Sequence, residues 1–458
     1  MSGPGHSRRM FLRRAAAGGV AAAFANAGAV SCGTLRGAES VPPARWAPAE
    51  GPNQPVGQAQ GIFPGRVVWM HDPKVASWDA NDTSGGWFED KFTDPVLADR
   101  MLSASLQRLT GAPTDEETWR ALFRHFNKTH GRGDVGYRPG EKVAVKLNLN
   151  CARRQANPPH GLYNTPQLTL ALLRQLIKQA RIREADLVVY DASRWISDSI
   201  FLPAHAEFPG IRFEDRDGGD GRFQIRPDKS VALHFGDPAT ADSGRTYLPD
   251  CVTGATYLIN AAVMKGHALA GVTLCAKNHF GSLYREHTGA KDPHHGWNPS
   301  HLHDAITVRA RAMGTYNPLV ELMGHGDLGG KTILYLIDAL YAAPHQNLPP
   351  ERWQSSPFNG HWTASVFVAQ DAAAIESVAV DFFGAEQTAT GMVGAVDNYL
   401  HEAALAHRPP SGTQYAPEGN GSPPLHGLGV HEHWNGPQQK QYSRNLGSGP
   451  GIELVTGA

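Results

Sequence analysis

Cysteine is scarce: the chain has 4 in 458 residues and no Cys-x-x-Cys pair. That argues against a disulfide scaffold and against a ferredoxin-type iron–sulfur cluster. Charged residues make up only 19% of the sequence and nearly cancel, with a formal net charge of -1. No long run of one sign occurs, so a nucleic-acid-binding body built on a basic patch is not expected. Beyond the N-terminus no apolar run reaches membrane-spanning length. A P-loop, a Gly-x-Ser-x-Gly elbow, a His-Glu-x-x-His zinc helix and a dinucleotide fingerprint after a strand are all missing. What is present is a loop-rich chain, with 50 glycines and 33 prolines beside 41% hydrophobic residues. It is long enough to bury a sizeable core.

The N-terminus reads as a targeting segment. Ser7-Arg8-Arg9-Met10-Phe11-Leu12-Arg13 is followed by an Ala/Gly-rich stretch from Ala15 to Val30. The pattern resembles a twin-arginine export signal: paired arginines, then a weakly apolar run too short for a stable membrane span. Small-residue cleavage sites stand at Ala25-Asn26-Ala27 and Ala27-Gly28-Ala29, while Ala29-Val30-Ser31-Cys32 offers a lipid anchor at Cys32 as the competing reading. The expected partner is the twin-arginine translocase, and the expected location periplasmic or cell-surface. That route carries folded proteins, so thiols at Cys151, Cys251 and Cys275 are expected to stay reduced during folding.

Five segments follow from composition and periodicity: a signal at 1–32, a Pro/Gly/Ala-rich tether at 33–62, an N-terminal strand with helices at 63–140, a core at 141–405 and a Gly/Pro/His-rich tail at 406–458. Within 63–140, Gly65–Met70 reads as a strand, and Asp94–Leu109 and Asp115–Lys128 as helices with Asp caps. In the core, strands are expected at Lys142–Leu149, Leu187–Tyr190, Ala255–Met264, Thr332–Ile337 and Ala364–Ala369. Thr165-Pro166 is an N-cap and N1 pair opening a helix to Arg181, and a last helix runs from Ala372 to Phe383. Strands alternating with helices predict an α/β fold, an open, mostly parallel sheet flanked by helices. The tail, expected to wrap the body as ordered loop, contains His431-Glu432-His433-Trp434.

In such sheets ligands bind beyond the carboxyl ends of the strands. The expected strands end at Asn148 and Asn150, at Asp191, at Lys265 and His267, at Asp338 and at Asp371, a rim able to clamp a small anionic or metal-bound ligand. Asp371 could equally do no more than cap its helix. Lys146, Lys265 and Lys277-Asn278 lie in or beside apolar runs, where an unpaired ammonium is costly, so each must meet a carboxylate or a ligand. Asp191 and Asp338 are the expected partners of Lys265. Histidines crowd residues 267–303, and His267, His287, His301 and Asp304 are the candidate ligands of one divalent metal ion, although their spacing matches no zinc motif.

These residues together resemble the domain-of-unknown-function 362 family. The resemblance rests on Val145-Lys146-Leu147-Asn148 (Leu147 standing where the family has Pro), Asn164-Thr165-Pro166 and Val189-Tyr190-Asp191-Ala192-Ser193. It continues through Leu258-Ile259-Asn260, Lys265-Gly266-His267, Gly271 to Gly281 with its Lys277-Asn278-His279-Phe280-Gly281 block, and Leu336-Ile337-Asp338. Asp371 through Gly384 completes it. It implies the α/β fold and a site at the rim, lined by Asn260 and Asn278 among others, but no reaction. Many relatives carry an iron–sulfur module for which this chain has no cysteine motif. The functional expectation is a metal-assisted enzyme acting on a small anionic or carbonyl substrate, with Lys265 and Lys277 stabilising negative charge and Asp191 or His267 moving protons. The other expectation is a non-catalytic exported protein that binds a ligand or handles a metallocofactor.

Overall fold

The computed structural model describes residues 46–81, 85–155, 161–237, 245–285, 296–297, 300–307, 312–386, 392, 394–419 and 421–457. These all lie in one compact unit, Pro43–Ala458. The targeting segment, Cys32 and His287 fall outside the described residues, as do the side chains of His301 and Asp304.

The strands are β1 (Val56–Gly57), β2 (Arg66–His71), β3 (Val143–Leu147), β4 (Leu187–Asp191), β5 (Arg212–Asp215), β6 (Phe223–Gln224), β7 (Pro227–Leu233) and β8 (Thr246–Pro249). They continue with β9 (Tyr257–His267), β10 (Gly271–Thr273), β11 (Tyr284–Arg285), β12 (Thr332–Ala343), β13 (Ser365–Ala369), β14 (Val430–His431) and β15 (Glu453–Gly457). The helices are α1 (Pro95–Thr110), α2 (Asp115–Thr129), α3 (Pro166–Arg174), α4 (Asp198–Glu207), α5 (Asp250–Thr253), α6 (Cys275–Asn278), α7 (Ser300–Ala305), α8 (Leu319–Gly324), α9 (Ala372–Ala385) and α10 (Asn398–Ala404). No helix among the described residues is long and apolar enough to cross a membrane.

The fold is α/β. A 10-stranded sheet runs β15-β2-β13-β12-β9-β3-β4-β5-β6, with β10 hairpinned onto β9. Pairing is parallel from β12 through β6, and β13 runs antiparallel to both of its neighbours. Alternate residues feed two cores. Ala144, Tyr190, Leu258 and Met264 pack on one face of the sheet, and Val143, Val145, Ile259 and Val263 on the other. Helix α1 packs on the second face through Met101, Leu102 and Leu106, each such buried side chain stabilising by about 1.5–3 kcal/mol.

Several expectations are corrected. Helix α2 is capped by Thr114, whose hydroxyl accepts the Glu117 amide proton, while Asp115 opens the first turn. Thr165 makes no side-chain cap bond, because its hydroxyl donates to the buried Asp338 carboxylate. Strand β9 continues to His267 and β12 to Ala343, since their register with each other, and that of β9 with β10, carries the pairing past the apolar runs. The tail is more than loop: β15 forms the sheet edge against β2.

Candidate functional site

The strand order places the site. From β3 the chain goes outward to β4 and β5, then returns to lay β9 on the other side of β3 and β12 beyond it. The switch point therefore lies between β3 and β9, where ligands of open α/β sheets bind. Lys146 and Asn260 are register partners there, flanked by Tyr190 on β4 and Tyr335 on β12. This polar row is covered by the turn of α6. Asn278 donates to Asn260 Oδ1 at 2.8 Å, and Asn260 donates to the Cys275 carbonyl at 2.9 Å and meets His279 Nε2 at 3.1 Å.

Lys146 is the internally satisfied lysine. Its Nζ donates to Asp191 Oδ2 at 3.1 Å and to Asn278 Oδ1 at 3.2 Å, with no side-chain exposure. Burial alone would raise the Asp191 carboxyl, but the Lys146 ammonium and the amides of Ser193 and Leu149 hold it below the usual range. Burial lowers the Lys146 ammonium, and the Asp191 charge opposes that shift. Gly281 closes over the pair: a Cβ there would lie 2.6 Å from Lys146 Nζ and 2.9 Å from Asp191 Oδ1.

Lys265 and Lys277 differ. Neither has an ion-pair carboxylate among the described residues, which corrects the expected pairing of Lys265 with Asp191 or Asp338. Lys265 lies inside β9, not beyond its end, and its ammonium donates to the Leu162 carbonyl at 2.9 Å. Burial pushes it down to about 8, with the Arg194 and Lys146 charges acting the same way. Lys277 lies 3.6 Å over the Phe280 ring and 3.3 Å from His303 Nε2. Burial, then Arg194, Lys265 and Lys146, hold it well below the ordinary lysine range. Sequence reasoning missed Arg194, although a cation directly after the Asp191-Ala192-Ser193 strand end was a usable signal. It donates to Asn150 Oδ1 at 2.8 Å, and Asn150 in turn donates to the Gln346 carbonyl. Asn148 Oδ1 is buried without a partner among the described residues.

His267 accepts the amide protons of Leu269 and Ala270 on Nδ1, both at 3.1 Å, which leaves the ring proton on Nε2. Burial drives its pKa well below the ordinary value, so the ring is neutral. It stacks on His303 at 5.8 Å. Asp338, like Lys265, lies inside its strand, β12, and not beyond its end. It takes the Thr165 amide at 2.6 Å, its carboxyl pushed up to about 6 by burial. Asp371 stands at the opposite edge, because β13 is antiparallel to β12. It caps α9 and accepts amides of Ala374, Gln60 and Val430.

A metal-capable cluster exists elsewhere. Glu50, Asp397, His431 and His433 bring one ligand atom each within 4.8 Å of one another. Its ligands stand before β1 (Glu50), at the start of α10 (Asp397), in β14 (His431) and just after it (His433), not on the rim. Glu214, Asp250 and Cys251 form a second, more exposed group. The three described cysteines are unpaired and form no arrangement suited to an iron–sulfur cluster.

Comparison with known families finds a match to Domain of unknown function (DUF362) over residues 143–381. No curated protein and no solved structure matches the chain. The matched span holds every residue of the rim, whereas the ligand atoms of the Glu50–His433 cluster all come from outside it.

Proposed function

The chain belongs to the DUF362 family, and we propose that its rim binds a small oxyanion or carboxylate in an exported protein. One observation carries the reading: Lys265, Lys277 and Arg194 lie in one another's field, while the adjacent Asp191 is already paired with Lys146. Buried ammonium groups without carboxylates are expensive, and an entering anion supplies the missing charge. The ring proton of the neutral His267 and the Arg194 guanidinium give such a ligand donors to meet. The metal-assisted version has less support, since the described metal-capable cluster stands on other elements.

A second reading rests on Lys265 alone. An amine lowered to about 8 keeps a useful neutral fraction at pH 7, enough to attack a carbonyl carbon and expel water as an imine forms. Calorimetric titration of the full chain with phosphate, sulfate, acetate and a 2-oxo acid separates the two. Saturable binding without product, lost in Lys265→Met and Lys277→Met, supports the binding protein. A borohydride-trapped adduct on Lys265 supports the enzyme. Equal affinity in wild type and the double variant sinks the rim as the site.

A further inference from the structure

His431 and His433 alternate with Glu432 along an extended segment, so the two rings leave one side of the chain. Glu432 leaves the other, where it takes the amides of Ser443 and Ile452. Both rings are fixed by α9. His431 Nδ1 meets Ser377 Oγ at 2.8 Å, and that hydroxyl already donates to the Ala373 carbonyl, so it accepts the Nδ1 proton. His431 Nε2 is then a bare lone pair. His433 Nδ1 meets Asp381 Oδ1 at 2.7 Å, and Asp381 is itself held by the Trp434 amide and the Tyr442 hydroxyl. Ser377 and Asp381 are four residues apart on one helix face, which sets the spacing of the rings.

The outward atoms face acceptors. His431 Nε2 lies 3.6 Å from Glu50 Oε2, and neither atom has a hydrogen-bond partner among the described residues. Asp397 Oδ1 is buried and unpartnered as well, while Asp397 Oδ2 stands 3.0 Å from His433 Nε2. A proton on His433 would satisfy that last contact but not the one between His431 and Glu50. Two acceptors that far apart repel, yet ligands about 2.0–2.1 Å from one tetrahedral ion lie roughly 3.3 Å from each other. Glu50 Oε1 is held by His401 Nε2 at 2.6 Å, which aims Oε2 inward. Carboxylate and hydroxyl partners behind each ring are the outer shell that orients histidine ligands.

We propose that Glu50, Asp397, His431 and His433 bind one divalent d-block cation, zinc(II) or a near equivalent, in a closed site that ties the segment before β1 and the C-terminal tail to α9 and α10. Two imidazoles and two carboxylates suit such an ion better than calcium or magnesium, which take oxygen ligands. With four protein ligands and almost no exposure for His431, His433 and Asp397, the site leaves no open position for substrate, so its role is structural.

The test uses the full chain stripped with dipicolinate and titrated with cobalt(II). The expected result is one ion per chain, a visible absorption several-fold stronger than that of the aqueous ion, displacement by zinc(II), and a rise in melting temperature on loading. His431→Gln should weaken binding at least 100-fold. Should that variant fail to fold, Glu50→Gln, on the chain's N-terminal flank, carries the same comparison with at least a 10-fold loss. Wild type that leaves cobalt(II) with its aqueous spectrum, or variants that bind as wild type does, would overturn the site. Neither outcome depends on anion binding at the rim.

Discussion

Lys265 shows how one residue can set a pH dependence. Its ammonium is held at about 8, against an ordinary 10.5. The unfolded chain therefore binds more protons than the folded one between those values, and stability rises with pH across that window. The shift corresponds to roughly 3 kcal/mol of cost at neutral pH. Lys265→Met removes that cost together with the bond to the Leu162 carbonyl, so its net effect at pH 7 should be within about 1–2 kcal/mol. Urea denaturation at pH 7 and pH 9.5 should show the wild-type gain and its absence in the variant. An anion at the rim favours the charged form, so binding should take up protons near pH 8 and weaken above it. Calorimetry in two buffers of different ionisation heat reads that uptake directly, and zero uptake would count against the lysines as the anion's partners.

At the scale of elements, the short α6 turn and the 3₁₀ turn after it matter more than any long helix. They bring Lys277, Asn278, His279 and Gly281 over the polar row of β3 and β9, and the Ala192 amide donates to the Gly281 carbonyl at 2.7 Å. Gly281→Ala should destabilise by about 2 kcal/mol or more, because its methyl must displace Lys146 or Asp191 from a buried ion pair. Chemical denaturation checks this, and a change below about 0.5 kcal/mol would show that the pair can yield. The Lys277-Asn278-His279-Phe280-Gly281 block was legible as a unit in the sequence. Its role as a cover over Asn260 was not, since a turn packed on a sheet face leaves no periodic signal. Thr165 illustrates the converse: its N-cap pattern was plain, yet the tertiary position of Asp338 drew the hydroxyl away.

For the whole molecule, a buried acid within the domain sets part of the dependence of stability on pH. Glu321 on α8 is buried, takes the Gly236 amide at 2.9 Å, and has its carboxyl pushed up to about 8 by burial. The folded state then holds a proton that the unfolded state releases near 4.5. This contribution is complete below that value and is lost as pH rises towards 8. Glu321→Gln should flatten the fall in melting temperature between pH 5 and pH 8 without loss at pH 5. A slope equal to that of wild type would place the loss of stability with rising pH in another group. The proposed export is likewise tested on the whole chain. If the twin-arginine reading holds, Arg8-Arg9→Lys-Lys should leave precursor inside the cell, as fractionation and blotting would show. Undiminished export would remove it.

The sequence by itself determined the alternation of strand and helix, because period-2 and period-3.6 apolar patterns are local. It also marked Lys146, Lys265 and Lys277 as anomalous, because a charge inside an apolar run needs a partner wherever the chain goes. Which partner each one met was decided only in three dimensions. Lys146 found Asp191 because β3 and β4 lie side by side, Lys265 found backbone carbonyls, and Asp371 was carried to the opposite edge by the reversal of β13. The His431-Glu432-His433 string stood out in the sequence, but Glu50 and Asp397 did not. Those four residues converge only when the two ends of the chain close on α9 and α10, and contacts between such distant segments leave no trace in local spacing.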